Sequence, residues 1–126
     1  MDIKTLQVGP IGTNCYILCD EAKQRCAVID PGGDAGRVAA AVEESGCVPC
    51  AILLTHGHYD HTGGVAALLG SLPQTPVYIH AADFDTPQPQ LFPLKAELGA
   101  GAAGTVHFYD EGDCLTVGTL KLQVLH

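Results

Sequence analysis

Four apolar residues, Ala51-Ile52-Leu53-Leu54, run without a polar break into Thr55-His56-Gly57-His58-Tyr59-Asp60-His61. A strand with one wet face would alternate, so the continuous run reads as a strand buried on both faces. Any fold for this chain must therefore cover a sheet from two sides. It must also end that strand where three imidazoles and a carboxylate crowd together.

The residues before this point read as a meander of short strands, Ile3 to Val8, Asn14 to Cys19 and Cys26 to Ile29, with turns at Gly9-Pro10 and Asp20-Glu21. Asp30-Pro31-Gly32-Gly33 stops the third strand. Asp34 is the expected N-cap of a helix whose Val38, Ala41, Val42 and Ser45 share a face, closed by Gly46. After the histidine cluster, Val65, Leu68 and Leu69 stand at helical spacing and are ended by Gly70 and Pro73. A strand over Val77 to Ile79 follows. Pro87, Pro89 and Pro93 make the stretch from Ala81 to Gly104 a loop, and Leu115 to Val117 with Leu120 to Val124 alternate as a hairpin with one wet face.

With 126 residues, 47% hydrophobic and 16% charged, the chain has the composition of one globular unit. A net charge of −8 with no Lys/Arg cluster argues against a nucleic-acid partner or an anionic membrane, since phosphate contact needs basic side chains. The amino-terminal residues lack a signal-peptide pattern, and no run reaches the roughly 18 apolar residues of a membrane span. A cytoplasmic location is the expectation, with the six cysteines as thiols rather than a disulfide framework. Cys47-Val48-Pro49-Cys50 has the spacing of a redox pair or half a zinc knuckle. With no second such pair, ordinary thiols are the expected reading.

Residues two apart in an extended backbone point the same way, so His56, His58 and Asp60 can converge, and His61 can turn inward as a helix begins. Gly57 leaves room for the bend. Imidazole and carboxylate donors suit zinc and also iron or manganese, and the geometry suggests two neighbouring metals. A solvated polar loop explains one or two histidines but not His-x-His-x-Asp-His at a strand-to-helix junction. His80 and His107 are expected to be packed or exposed bystanders. Cys15 and Cys19 have no sequence neighbour that would activate a thiol nucleophile.

Thr55 to His61 is similar to the Thr-His-x-His-x-Asp-His signature of the metallo-β-lactamase superfamily, and its surroundings resemble the glyoxalase II-like hydrolases. The likeness runs from Gly12-Thr13-Asn14-Cys15-Tyr16 through Val28-Ile29-Asp30-Pro31-Gly32-Gly33 to the terminal hairpin. It implies the α/β (α+β) class: the N-terminal half of an αβ/βα sandwich, a mixed β-sheet with flanking helices, residues 1–126 forming a single truncated domain. His56 and His58 would hold a first metal and Asp60 and His61 a second, two zinc ions in the complete site. Asp60 would also orient the bridging hydroxide. Asp30 would support the site rather than ligate, or else simply form the turn before Pro31.

The implied activity is hydrolysis of a small-molecule ester or thioester, such as an acylated glutathione, by a metal-bound hydroxide. In such relatives the strand matching Leu120 to Leu125 runs into His-Thr-Pro-Gly-His. His126 matches the first, non-ligating histidine, so the remaining ligands fall beyond it. Two expectations follow. The chain is a fragment of a longer hydrolase or a natural truncation rescued by a partner, and by itself it would be a catalytically inactive metal-binding or assembly partner. The uncovered sheet face would favour self-association.

Overall fold

The computed structural model describes residues 2–9, 12–22, 24–55, 64–72, 75–80, 106–110 and 112–124. Three strands open the chain as the expected meander: β1 (Asp2–Val8), β2 (Thr13–Asp20) and β3 (Arg25–Ile29). Both of their pairings are antiparallel, with Leu6 opposite Cys15 and Cys19 opposite Cys26. Helix α1 (Ala35–Ser45) then carries the chain across the sheet, and β4 (Val48–Leu53) returns parallel to β3. Helix α2 (Val65–Ser71) precedes β5 (Val77–His80), and β6 (Val106–Tyr109) follows, each parallel to the strand before it. The six strands lie in sequence order β1-β2-β3-β4-β5-β6, a mixed sheet as expected. The loop expected from Ala81 to Gly104 lies outside the described residues.

The apolar run behaves as its composition requires. Ile52 and Leu54 join the core under the helices with Val28, Val38, Val65, Leu68 and Ile79. Ala51 and Leu53 face the other way, into a second core with Ala27 and Val117. That second core is closed by β7 (Cys114–Val117) and β8 (Leu120–Gln123), an antiparallel hairpin forming its own two-stranded sheet. The face expected to lie bare is thus covered around Ala27, Ala51 and Leu53 by the chain's own hairpin.

Two side chains depart from their expected roles. Asp34 sits at the N-cap of α1, but with φ 51° and ψ 46° its carboxylate makes no cap bond. Its Oδ2 instead accepts from the Gly9 backbone N–H at 3.0 Å, tying the helix entrance to the end of β1. Ser45 is exposed rather than part of the packed face of α1, which consists of Val38, Ala41 and Val42. The other end of α1 follows expectation: Gly46 at φ 72° donates to the Glu43 carbonyl.

The hairpin is moored at its turn by one buried carboxylate. Asp20 Oδ2 accepts from both the backbone N–H and the hydroxyl of Thr119 at 2.6 Å, and Oδ1 accepts from Ala22 N–H at 3.2 Å. Hydrogen bonds to a buried charge are among the stronger ones, and removing the acceptor leaves the donors in place. Asp20→Ala is therefore expected to lower unfolding stability by about 2–3 kcal/mol. Ile3→Ala, on the exposed edge strand, should stay within about 0.5 kcal/mol. Urea titration of the two variants checks the contrast.

Candidate metal centre

The loop that should carry the metal ligands begins after Thr55 and ends before Gly64, and both posts are fixed by one short turn. Asp30, at the end of β3, adopts φ 55°, a left-handed conformation that costs a non-glycine residue roughly 1–2 kcal/mol. What holds it there is a set of bonds to β4. Its N–H donates to the Leu53 carbonyl at 3.0 Å. Its Oδ1 accepts from Thr55 N–H at 2.8 Å and its Oδ2 from the Thr55 hydroxyl at 2.6 Å. The next residue takes the far post, because Pro31 O accepts from Gly64 N–H at 2.9 Å. Asp30 is only 4% exposed. Asp30 is thus the turn former, and its carboxylate also holds Thr55, the residue before the loop.

Glycines make this closeness achievable. A Cβ on Gly64 would stand 2.7 Å from Pro31 O, and one on Gly33 would stand 2.8 Å from the Gly9 Cα. The end of β1, the Pro31 to Gly33 turn and the start of α2 therefore stack backbone on backbone. Gly64 O then accepts from Leu68 N–H at 2.8 Å, so the far post also begins the helix.

From the other side, β4 is held by β5 and β6. Leu54 N–H donates to the Tyr78 carbonyl at 3.0 Å, and the Tyr109 hydroxyl donates to the Leu54 carbonyl at 2.5 Å. Tyr78 stacks with the rings of both His107 and Tyr109, with centroids 5.2 and 6.2 Å away. Both backbone groups of the residue before Thr55 are thereby satisfied by neighbours on this side. Tyr109 was not identified from the sequence, where nothing set it apart from any other strand tyrosine.

His56, His58, Asp60 and His61, the expected ligands, with Asp60 also the expected catalytic residue, lie outside the described residues. Among the described residues no group of three or more His, Cys, Asp or Glu side chains could hold a metal. His80 Nε2 lies 3.1 Å from Asp110 Oδ1, and His107 stacks on Tyr78. The donor set of the loop, three imidazoles and a carboxylate, fits divalent zinc or iron, and the described frame suits it. It presents the loop at the carboxyl ends of parallel strands, with both ends fixed.

Cysteine chemistry does not compete at this site. Cys15 is fully buried, and burial, seconded by the negative charge of Asp30, pushes its thiol up from the ordinary 9.0 to about 12. Burial likewise raises Cys19. Neither supplies a thiolate near neutral pH.

Comparison with known proteins agrees with this construction. Residues 8–126 match the family described as the metallo-beta-lactamase superfamily. The chain superposes on the crystal structure of BLEG-1, a B3 metallo-beta-lactamase, with a TM-score of 0.79 at 32% identity, covering 99% of this chain and 61% of that one. The crystal structure of TTHA1623 in a di-iron-bound form matches with a TM-score of 0.64 at 33% identity, over 89% of this chain and 56% of that one. Hydroxyacylglutathione hydrolase of Enterobacter sp. (strain 638) is 51% identical over 63 residues, 50% of this chain and 24% of that protein. The fold is the N-terminal portion of the αβ/βα sandwich, and the chain belongs to the metallo-beta-lactamase superfamily. It spans about 60% of curated relatives that match it from end to end, 59% of one and 62% of another.

Two predictions follow from this geometry. Gly64→Ala should cost about 1–3 kcal/mol, because the methyl group meets backbone that cannot yield. Gly70→Ala has nothing within 4 Å and lies inside α2, so it should be neutral or stabilising by up to about 1 kcal/mol. Chemical denaturation compares the pair. For Cys15 the native thiol keeps its proton to about 12, while the unfolded thiol releases it from about 9. The unfolded state thus binds fewer protons in that window, and stability contributed by the protonated thiol is fully present below pH 9 and declines from there toward 12. Cys15→Ala should flatten that decline in a pH series of unfolding curves.

Proposed function

We propose that this chain supplies the metal-binding half of a metal-dependent hydrolase acting on thioesters of the acylglutathione type. The observation that supports this most is the frame itself. Thr55 and Gly64, the residues on either side of the His56 to His61 loop, are both hydrogen-bonded to Asp30-Pro31. The 51% identity to a hydroxyacylglutathione hydrolase over 63 residues favours a thioester substrate.

In this reading His56 and His58 hold one metal, and Asp60 and His61 hold the second. The bound ions, zinc or alternatively iron or manganese, would lower the pKa of water to about 7 and polarise the substrate carbonyl. Asp60, an acceptor only while ionised, orients the attacking water by taking a hydrogen bond from it. Thr55, held through its hydroxyl and N–H by Asp30, fixes where the loop departs. Tyr109 holds the preceding carbonyl. The thiol leaving group departs without a protein nucleophile, consistent with the buried, protonated Cys15. The remaining ligands belong to the part of the longer relatives that this chain does not span.

No helix among the described residues is long and apolar enough to cross a membrane. A small thioester met in the cytoplasm fits this reading.

The test is metal analysis after dialysis alongside a thioester assay, on the full protein that carries this sequence. His58→Ala is expected to lose bound metal and turnover together, whereas His107→Ala keeps both. Equal losses in the two variants would remove the distinction between ligand and bystander. Retention of metal without turnover on any thioester would favour the alternative, a metal-binding or assembly role.

A further inference from the structure

The end of β4 is gripped from two directions through a single peptide unit. The Leu54 carbonyl and the Thr55 N–H belong to the same peptide, whose atoms lie in one plane because rotation about the C–N bond is restricted. On the N–H side, Asp30 Oδ1 at the end of β3 accepts at 2.8 Å. On the carbonyl side, the Tyr109 hydroxyl at the end of β6 donates at 2.5 Å. The strand order β3-β4-β5-β6 puts β5 between Tyr109 and the strand it holds. The Tyr109 side chain therefore reaches across β5, where its own register partner is His80.

Two features fix the ring that carries this hydroxyl. Strand β6 pairs with β5 from Val106 opposite Val77 to Tyr109 opposite His80. The Tyr109 ring then stacks with Tyr78 at 25° between planes, and Tyr78 also stacks with His107. The Tyr78 carbonyl accepts from Leu54 N–H at 3.0 Å, so the residue on which the ring stacks is itself tied to the end of β4. Tyr109 and Thr55 line one cavity of about 290 Å³ together with Ile29, Leu53, Leu115 and Leu122. The hydroxyl thus makes its bond beside apolar groups, where a hydrogen bond is stronger than in water. Bonds to Asp30 alone hold one edge of the peptide plane and leave it able to tilt. The bond from Tyr109, at the opposite edge of the same plane, removes that freedom.

We propose that Tyr109 is a positioning residue for the metal-binding loop, setting through the Leu54-Thr55 peptide the direction in which the chain enters His56. This rests on the metal-binding reading of His56 to His61. Tyr109 acts on the near end of the loop, as Pro31 does on Gly64 at the far end. His56 follows Thr55 directly, so a tilt of that peptide redirects the residue that carries the first imidazole. Removing the hydroxyl leaves the pairing of β4 and the ring stack in place, and water can replace the bond but not its fixed direction. The loss then falls on how the ligands are presented rather than on the fold. One neutral hydrogen bond of ordinary net strength corresponds to about threefold to tenfold in metal affinity.

The experiment uses the full protein that carries this sequence, stripped of metal and titrated with cobalt(II) against a chromogenic chelator. Tyr109→Phe keeps the ring and removes only the hydroxyl. It is expected to bind cobalt about threefold to tenfold more weakly, with a displaced ligand-field absorption band, while its urea midpoint stays close to that of the parent. Thr119→Val, which loses its hydroxyl bond to Asp20 at the other end of the sheet, is expected to lower the urea midpoint and leave affinity and spectrum unchanged. Unchanged affinity or an unmoved band in Tyr109→Phe would overturn the proposal. Equal losses of affinity in the two variants would do the same, since the effect would then be one of general stability. A Tyr109→Phe protein that no longer folds also counts against it, by making the residue structural. A parent protein that binds no cobalt would refute the metal-binding reading itself, so the two failures are told apart.

Discussion

The clasp between Asp30 and Thr55 is the contact on which the arrangement around the metal loop depends. A residue with a side chain is held in a left-handed conformation, which is unfavourable by itself, and two hydrogen bonds from Thr55 to the carboxylate compensate. The conformation matters because it turns the chain sharply at the end of β3. Pro31 O is thereby brought to Gly64, while the Asp30 side chain still reaches β4. A straight continuation of β3 would leave the two ends of the loop unrelated.

The sheet uses its two ends differently. At the carboxyl ends of β3 and β4, Asp30 and Pro31 hold Thr55 and Gly64, the residues that flank the stretch rich in candidate metal donors. At the opposite end the polar work is done by Asp20, whose buried carboxylate moors the hairpin turn at Thr119. Thiols fill the neighbouring core. The hairpin spans both regions: its turn rests on Asp20, and Val124 at its other end is paired with Gly112 and Asp113. One small element therefore connects the far end of the sheet with strands that back the metal loop.

Much of this was legible in the sequence because the signals were local. The apolar run Ala51 to Leu54 announced a strand covered on both sides, and Gly46 marked the end of a helix. The residues Thr55 to His61 carried the resemblance from which the superfamily was expected, and the family match bears that out. What escaped was non-local. Tyr109 reaches Leu54 from 55 positions away, and no periodicity reports a hydroxyl aimed at a particular carbonyl. Asp34 has the composition of an N-cap, yet Gly9 claims its carboxylate. Cys47 and Cys50, expected to be ordinary thiols despite their spacing, are free and border different cores. For Tyr109 and Asp34 the deciding partner lies far along the chain.

The stacked backbones at Gly9, Gly33 and Gly64 make the loop's two ends a fixed gauge. The Gly64 end is set by contacts among main-chain atoms and the Thr55 end by the Asp30 carboxylate, so both ends are positioned by groups outside residues 56–63.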